Sequence, residues 1–126
     1  MTQAELTLVD LRPQVRAALV GISSTVPFQV RERWNRQTAE GAVITYAQTD
    51  NRSTSCPVVD ELRCQIDVFA PERAEATELS EGVNQALLAL GLRREEMRES
   101  VEENGLRRCT LVYGRRVDKR FLRFID

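Results

Sequence analysis

The clearest hydrophobic pattern in the chain is the alternation from Glu61 to Ala70, which reads ELRCQIDVFA. Apolar side chains occupy every second position, and polar ones occupy most positions between them. Successive side chains of a strand point to opposite faces of a sheet, so the alternation predicts a β-strand with one buried face and one solvent-facing face. We place this strand at the centre of a sheet.

A helical pattern follows directly after Pro71 and continues to about Leu90. Gly91 is the residue type that commonly ends a helix, because it adopts a left-handed backbone without steric cost. The predicted apolar stripe of this helix consists of Leu79, Val83, Ala86, Leu87 and Leu90.

A second amphipathic helix is predicted near the N-terminus. Leu11, Val15, Leu19 and Ile22 recur at helical spacing, and Asp10 is a suitable N-cap. Leu6 and Leu8 are candidates for extending this helix backward.

Two strands are predicted between the helices, over 28–34 and over 42–48, and we expect them to form a hairpin through a turn at 35–41. The polar stretch 49–60 lacks periodicity and predicts a loop. A mobile linker and a partner-contact loop are both compatible with its composition.

The C-terminal part predicts a strand over 94–101, a hairpin turn at Glu102–Gly105 and a return strand over 106–113. Gly114 is expected to break or bulge that strand, and 117–125 can resume it. The element order is α-β-β-β-α-β-β. It predicts an α+β fold in one domain over residues 1–126, with a mainly antiparallel sheet of about five strands and two helices packed on one face.

Composition argues against several kinds of chemistry. The chain has 126 residues, 42% hydrophobic and 29% charged, with a net charge of -1, no histidine and three scattered cysteines. Without histidine or paired cysteines, neither a catalytic dyad nor a zinc site is expected, and the isolated glycines form no phosphate loop. We therefore predict a non-enzymatic protein without catalytic, cofactor-binding or metal-binding residues. The N-terminus does not resemble a signal peptide, and no apolar run approaches the length of a membrane span.

Charge is unevenly distributed along the sequence. Residues 106–126 are rich in Arg and Lys, whereas 72–81 and 95–103 are rich in acids. Three explanations remain open: solvated surfaces, head-to-tail assembly of copies through complementary charge, and nucleic-acid contact by the basic end. The segregation favours assembly for the group as a whole.

The order and length of the elements resemble a known family. The resemblance rests on four segments: VITY at 43–46, ELRCQIDVFAPER at 61–73, the predicted helix ATELSEGVNQALLALGL at 76–92, and LRRCTLVYGRRVDKRF at 106–121. Together they resemble the tail terminator, or tail-completion, proteins of long-tailed bacteriophages and prophages, which act in head–tail joining.

The resemblance implies a ring, usually a hexamer, that caps the tail tube and connects it to the neck. Tail-tube protein and head–tail connector proteins would be its partners. The protein would be assembled in the host cytoplasm and reside in the virion, and DNA would pass through the ring without sequence-specific contact. A small α+β ligand-binding or regulatory module is the alternative function.

Charge and predicted exposure supply candidate contact residues, since no family motif fixes them. The acidic loop Glu95 to Glu103 is the candidate for lumen or tail-tube contact, through Glu95, Glu96, Glu99, Glu102 and Glu103. Phe69 is an unusual residue for a solvent-facing strand surface. The candidates for oligomer or neck contact are Arg31, Arg33, Arg63, Asp67, Phe69, Arg115, Arg116, Lys119 and Arg120.

Overall fold

A computed structural model describes residues 3–6, 8–32 and 41–125. The α-helices are α1 (Gln3–Leu6), α2 (Arg12–Val20) and α3 (Arg73–Leu90). The strands are β1 (Phe28–Glu32), β2 (Ala42–Ser53), β3 (Val59–Ala70), β4 (Arg93–Val101), β5 (Arg107–Asp118) and β6 (Arg123–Ile125).

The strands form one sheet in the order β1-β2-β3-β5-β4, with β6 paired to β5 beyond the end of β4. The β3 strand lies at its centre between β2 and β5, antiparallel to both. The predicted class is confirmed: a mainly antiparallel sheet carries two long helices on one face. The sheet has one more short strand than expected, because the last apolar residues form β6.

The core lies between the sheet and helices α2 and α3. The apolar parity of β3 (Leu62, Cys64, Ile66, Val68 and Ala70) is buried there, as the alternation predicted. The inner stripe of α3 packs onto it through Leu79, Val83 and Leu87. Gly91 ends α3 with a left-handed φ of 104°, as expected.

The predicted hairpin of the first two strands is wrong, because β1 pairs with β2 in parallel. The register places Phe28 opposite Ala42 and Val30 opposite Ile44, on the face that the helices cover. Turn-forming residues mark a change of direction but do not fix the direction of the next strand. The rest of the predicted turn and of the first strand, residues 33–40, lies outside the described residues.

The predicted loop over 49–60 is also wrong for most of its length. Strand β2 continues to Ser53 and β3 begins at Val59, so only 54–58 connects them. Hydrogen bonds between strands join backbone groups, so this polar stretch pairs without apolar alternation. The register shifts between Gln48 and Asp50. This bulge interrupts the alternation of side chains, so the sequence pattern did not predict the strand.

Three smaller expectations also change. Helix α2 begins at Arg12 with Leu11 at its N-cap, although the Asp10 carboxylate still accepts a hydrogen bond from the Arg12 amide at 3.0 Å. Leu6 belongs to the separate short helix α1, and Leu8 is exposed. Strand β5 runs through Gly114 without a break, because the irregularity lies on β4 between Arg94 and Glu96.

Candidate assembly surfaces

The sheet face opposite the helices is called here the open face. It carries Arg63, Gln65, Asp67 and Phe69 of β3, together with the side chains beside them on the neighbouring strands. No described helix packs against it. The residues that the sequence analysis assigned to a solvent-facing surface lie here, but they are not all exposed.

Asp67 is fully buried on this face, so the prediction that it is exposed is wrong. Its carboxylate accepts hydrogen bonds from the Thr110 hydroxyl at 2.6 Å, from Arg108 Nε at 3.0 Å and from Gln65 Nε2 at 3.0 Å. A buried carboxylate is tolerated when its oxygens accept such bonds. Asp67 therefore holds three neighbouring side chains together across β3 and β5.

Thr45 lies next to this cluster, directly opposite Asp67 on β2. Its hydroxyl is buried and has no hydrogen-bond partner among the described residues. A buried polar group without a hydrogen-bond partner costs free energy, so the Thr45 hydroxyl lowers the stability of the folded sheet.

Phe69 is half-buried, and its ring lies beneath the Arg108 guanidinium, 5.5 Å from ring centroid to Cζ. Arg108 also pairs with Glu102 at 3.1 Å. Burial alone would lower the pKa of Arg108, but its hydrogen bonds to Asp67 and Glu102 and their charges outweigh burial and raise it. Phe69 is therefore covered by a firmly charged neighbour within the same chain.

Arg63 is held by two carboxylates on the open face. Its Nε lies 2.8 Å from Glu95 Oε1, and its Nη1 lies 3.2 Å from Asp50 Oδ2. The hydrogen bond to Glu95, followed by that to Asp50, raises the pKa of Arg63. Of the other basic candidates, Arg31 on β1 is exposed and donates to Gln29 at 2.6 Å, while Arg33 lies outside the described residues.

The four basic candidates near the end of the chain occupy different environments. Arg116 is on the open face and pairs with Glu61 at 3.1 Å. Arg115 points to the opposite side, where Nη1 donates to the Gly91 carbonyl at 2.6 Å and the guanidinium lies over the Phe124 ring.

Lys119 is buried, so its predicted exposure is wrong. Its ammonium lies 3.4 Å from the Asp60 carboxylate, which is buried as well. Arg120 is exposed and pairs with Asp118 at 2.8 Å, and this hydrogen bond lowers the pKa of Asp118. A buried Lys could not be anticipated from sequence, because its partner lies 59 positions away.

The predicted acidic loop is mostly strand β4, which is exposed at every position, followed by the turn at 102–105. Its carboxylates do not form one surface. Glu95 and Glu96 belong to the open face, whereas Glu99 lies on the helix side opposite Cys109 and 3.9 Å from Arg73. Glu102 pairs with Arg108, and Glu103 is exposed in the turn.

These contacts change how the segregated charges are understood. Glu95 of β4 and Arg116 of β5 each pair with a residue of β3, and Arg108 of β5 pairs with Glu102 in the turn after β4. Exposed ion pairs of this kind contribute little each to stability. Several of the candidate charges are therefore already paired within one copy of the chain.

The most exposed apolar feature of the described C-terminal region was not predicted from the sequence. Phe121 and Leu122, in the turn between β5 and β6, are each 65% exposed. Arg120 and Arg123 lie 5.4 and 5.9 Å from the Phe121 ring centroid. The sequence pattern that could have indicated this surface is Arg-Phe-Leu-Arg at 120–123, in which two apolar residues lie between two cations.

The described residues contain no cluster of acids or cysteines able to hold a metal ion. Burial, followed by the charge of Asp10, raises the pKa of the Cys64 thiol to about 11, and burial also raises the pKa of Cys109. Only Cys56 is exposed. No helix in the described ranges is long and apolar enough to cross a membrane.

One groove has a volume of about 460 Å³ and lies between residues 8–14, which lead into α2, and the β5–β6 end of the sheet. Its apolar lining includes Leu8, Leu90, Leu122 and Phe124. No group with catalytic geometry lies in it. The surface features that remain are an ion-paired open face, an exposed strand β4 and an apolar turn flanked by cations.

This arrangement defines an α+β sheet protein covered by helices on one face. The sequence matches no protein-family model and no curated protein. Among solved structures, the fold is similar to a chain of the virion of a native gene transfer agent particle, with a TM-score of 0.56 and 23% identity. The similarity covers 81% of this chain and 83% of that chain. At this identity it establishes a common fold.

Proposed function

We propose that this protein is a non-enzymatic virion assembly protein of the tail-terminator or head–tail joining class, formed by one domain over residues 1–126. Copies of the chain assemble into a ring, with six subunits as the expected number. The ring caps the tail tube and joins it to the neck of a phage-like particle.

One observation carries this proposal: the fold is similar, over most of both chains, to a component of a gene transfer agent virion. The order of elements that resembles tail terminators in the sequence is the order found in the structure. The backbone similarity and the sequence patterns support the same proposal.

The partners that follow are further copies of this chain, the tail-tube protein and the head–tail connector proteins. Assembly takes place in the host cytoplasm, and the final location is the tail or neck of the virion. DNA passes through the ring without sequence-specific contact, which agrees with a net charge of -1.

Mass photometry over a range of protein concentrations, with and without tail-tube protein from the same source, tests the proposal. We expect a closed oligomer of defined mass and capped tubes of defined length. A protein that stays monomeric at micromolar concentration, also with tube protein present, would contradict it.

Phe69→Ser should weaken such an oligomer while leaving the monomer folded, if the open face contacts a neighbour. The side chain of Phe69 is only half-buried, and the described contact of its phenyl ring is with the Arg108 guanidinium. Circular dichroism and thermal unfolding distinguish a loss of folding from a loss of association.

A ligand-binding module is the second candidate, favoured by the groove beside Leu8 and Leu90. Its volume of about 460 Å³ falls in the range of small-molecule sites. A metabolite that binds only the native state would raise the thermal midpoint. A strictly monomeric protein with such a shift would favour this function over ring assembly.

A further inference from the structure

The turn between β5 and β6, residues 119–122, is anchored at its base by hydrogen bonds and an ion pair. The Lys119 amide donates to the Val58 carbonyl at 2.8 Å, and its side chain forms the buried ion pair with Asp60. The Asp118 carboxylate accepts hydrogen bonds from the Arg120 amide at 3.0 Å and from its guanidinium. These contacts connect the turn to residues 58–60 and to the end of β5.

The same turn presents its apolar side chains outward in a costly conformation. Leu122 has a φ of 50°, and it is the one non-glycine residue of the described ranges with a positive φ. Leucine is poorly suited to this region, and strained residues concentrate at functional sites. Two exposed apolar side chains, two flanking arginines and a strained backbone together indicate a contact surface.

A complementary surface lies along the side of α3 that faces β4. It is called here the α3–β4 surface and consists of Glu81 and Leu88 on α3 and Met97, Glu99 and Val101 on β4. Leu88 and Met97 are each 47% exposed, and Val101 is 56% exposed. Apolar side chains flanked by carboxylates are the counterpart of apolar side chains flanked by arginines.

Several contacts place these residues along one side of α3. Met97 and Glu99 lie opposite Leu111 and Cys109, so they face the helix side of the sheet. Arg73 reaches Glu99, and Asn84 accepts a hydrogen bond from Tyr113 at 3.0 Å. Leu88 follows Asn84 by one helical turn, and therefore shares its side of the helix.

We propose that the 119–122 turn of one copy docks onto the α3–β4 surface of the next copy. Phe121 and Leu122 would cover Leu88, Met97 and Val101, while Arg120 and Arg123 approach Glu81 and Glu99. Each copy carries both surfaces, so the contact is head-to-tail and generates a ring when the rotation closes. This inference rests on the proposed assembly function and names the surfaces that meet in it.

Site-specific cross-linking tests the contact in the full chain. In a Cys56→Ser background, one protein carries Leu122→Cys and a second, distinguishable by a tag, carries Met97→Cys. The buried Cys64 and Cys109 react poorly because the pKa of each is raised. A short bis-maleimide should link the two mixed proteins into a heterodimer.

The matched control replaces Met97→Cys with Val20→Cys, which is at least as accessible, on α2, and lies outside both surfaces. We expect the 122–97 product to exceed the 122–20 product clearly. Equal yields in a protein that still assembles would overturn the docking inference but leave the assembly function intact. If no self-association occurs under any condition, both the docking inference and the assembly function are contradicted. Docking of the turn onto a different particle protein would also overturn the docking inference.

A second variant separates docking from a structural role of the turn. Asn tolerates the left-handed backbone that Leu122 adopts, so Leu122→Asn keeps the conformation and removes the apolar contact. We expect an unchanged or higher thermal midpoint and a dissociation constant for self-association raised about tenfold or more. A lower midpoint with unchanged association would show that Leu122 only supports the fold.

Discussion

The carboxylate of Glu95 occupies the space that a side chain at Gly114 would need. A Cβ atom at position 114 would lie 2.6 Å from Glu95 Oε1 and 2.8 Å from Oε2. Because Glu95 sits in the irregular part of β4, its side chain crosses the face of β5 at the glycine and reaches Arg63 on β3. The glycine thus permits an ion pair that spans three strands.

We predict that the effects of Gly114→Ala and Glu95→Ala are not additive. In the Glu95→Ala background, Gly114→Ala should stabilise the fold by about 0.5–1 kcal/mol, because alanine loses less backbone entropy than glycine in a strand. In the parent protein the gain should shrink or reverse, since Glu95 is displaced. Urea unfolding of the four proteins measures the coupling, and additive free energies would contradict the contact.

Gly91→Ala should be strongly destabilising. The φ of 104° disfavours any side chain, and the new Cβ would lie 2.9 Å from the Phe124 ring. We expect a loss of about 1–3 kcal/mol of unfolding free energy. Gly21→Ala is the matched control at the end of α2, where φ is -80° and the nearest atom is 3.4 Å away. Similar losses at both positions would rule out this explanation.

Stability should fall in acid partly through Glu78. The hydrogen bond from the Ser24 hydroxyl, followed by that from Thr25, lowers the pKa of Glu78 from its usual 4.5. The carboxylate also accepts bonds from the amides of Thr25 and Val26, so it ties α3 to the segment before β1.

A lowered folded-state pKa means that this stabilisation is present above pH 4.5 and is lost as pH falls through the folded value. Glu78→Ala should therefore lower the thermal midpoint at neutral pH by much more than at about pH 3. Glu81→Ala, exposed on the same helix, should have a small effect at both. A Glu78 effect independent of pH would contradict the assignment.

Removing Lys119 should test the buried ion pair below the turn. Lys119→Met leaves the buried Asp60 without its cation, and we expect a loss of about 3–5 kcal/mol. Arg116→Met, which removes an exposed ion pair on the preceding strand β5, should change stability by about 0.5 kcal/mol or less. Equal effects in chemical denaturation would show that Asp60 is accommodated without Lys119.

Thr45→Val should stabilise the sheet. The Thr45 hydroxyl is buried without a partner in the described part of the chain, so replacing it with a methyl group removes an unsatisfied polar group. We expect a gain of about 1 kcal/mol. The matched variant Thr110→Val should instead destabilise, because that hydroxyl donates to Asp67. A destabilised Thr45→Val protein would indicate that the hydroxyl is satisfied in solution.

The elements with strong periodicity were predictable, and those defined by long-range pairing were not. The alternation around Ile66 and the apolar stripe of α3 each have a local cause, so their burial follows from sequence. Strand β2 could run either parallel or antiparallel to β1, and no local residue encodes which of these two directions it takes. The continuation of β2 to Ser53 depends on a partner strand, which supplies backbone hydrogen bonds to a polar segment.

The candidate contact residues show the same difference between features with a local cause and features that depend on distant partners. Exposure of Arg31, Arg116 and Arg120 followed from charge, which normally keeps such side chains in water. Asp67 and Lys119 are buried because partners distant in sequence compensate their charges. The apolar turn at Phe121 was missed because apolar residues near the end of a chain were assigned to a strand.

In the proposed assembly, the free edge formed by β4 would restrict how copies of this chain meet. Six of its nine residues are charged, and all nine are exposed. An edge strand with unpaired backbone groups is a template for uncontrolled strand addition, and closely spaced charges discourage it. Recognition between copies would then depend on side chains that fit a particular neighbour. Such a contact would have a fixed angle, and an assembly with a fixed angle stops at a defined size when the rotation closes.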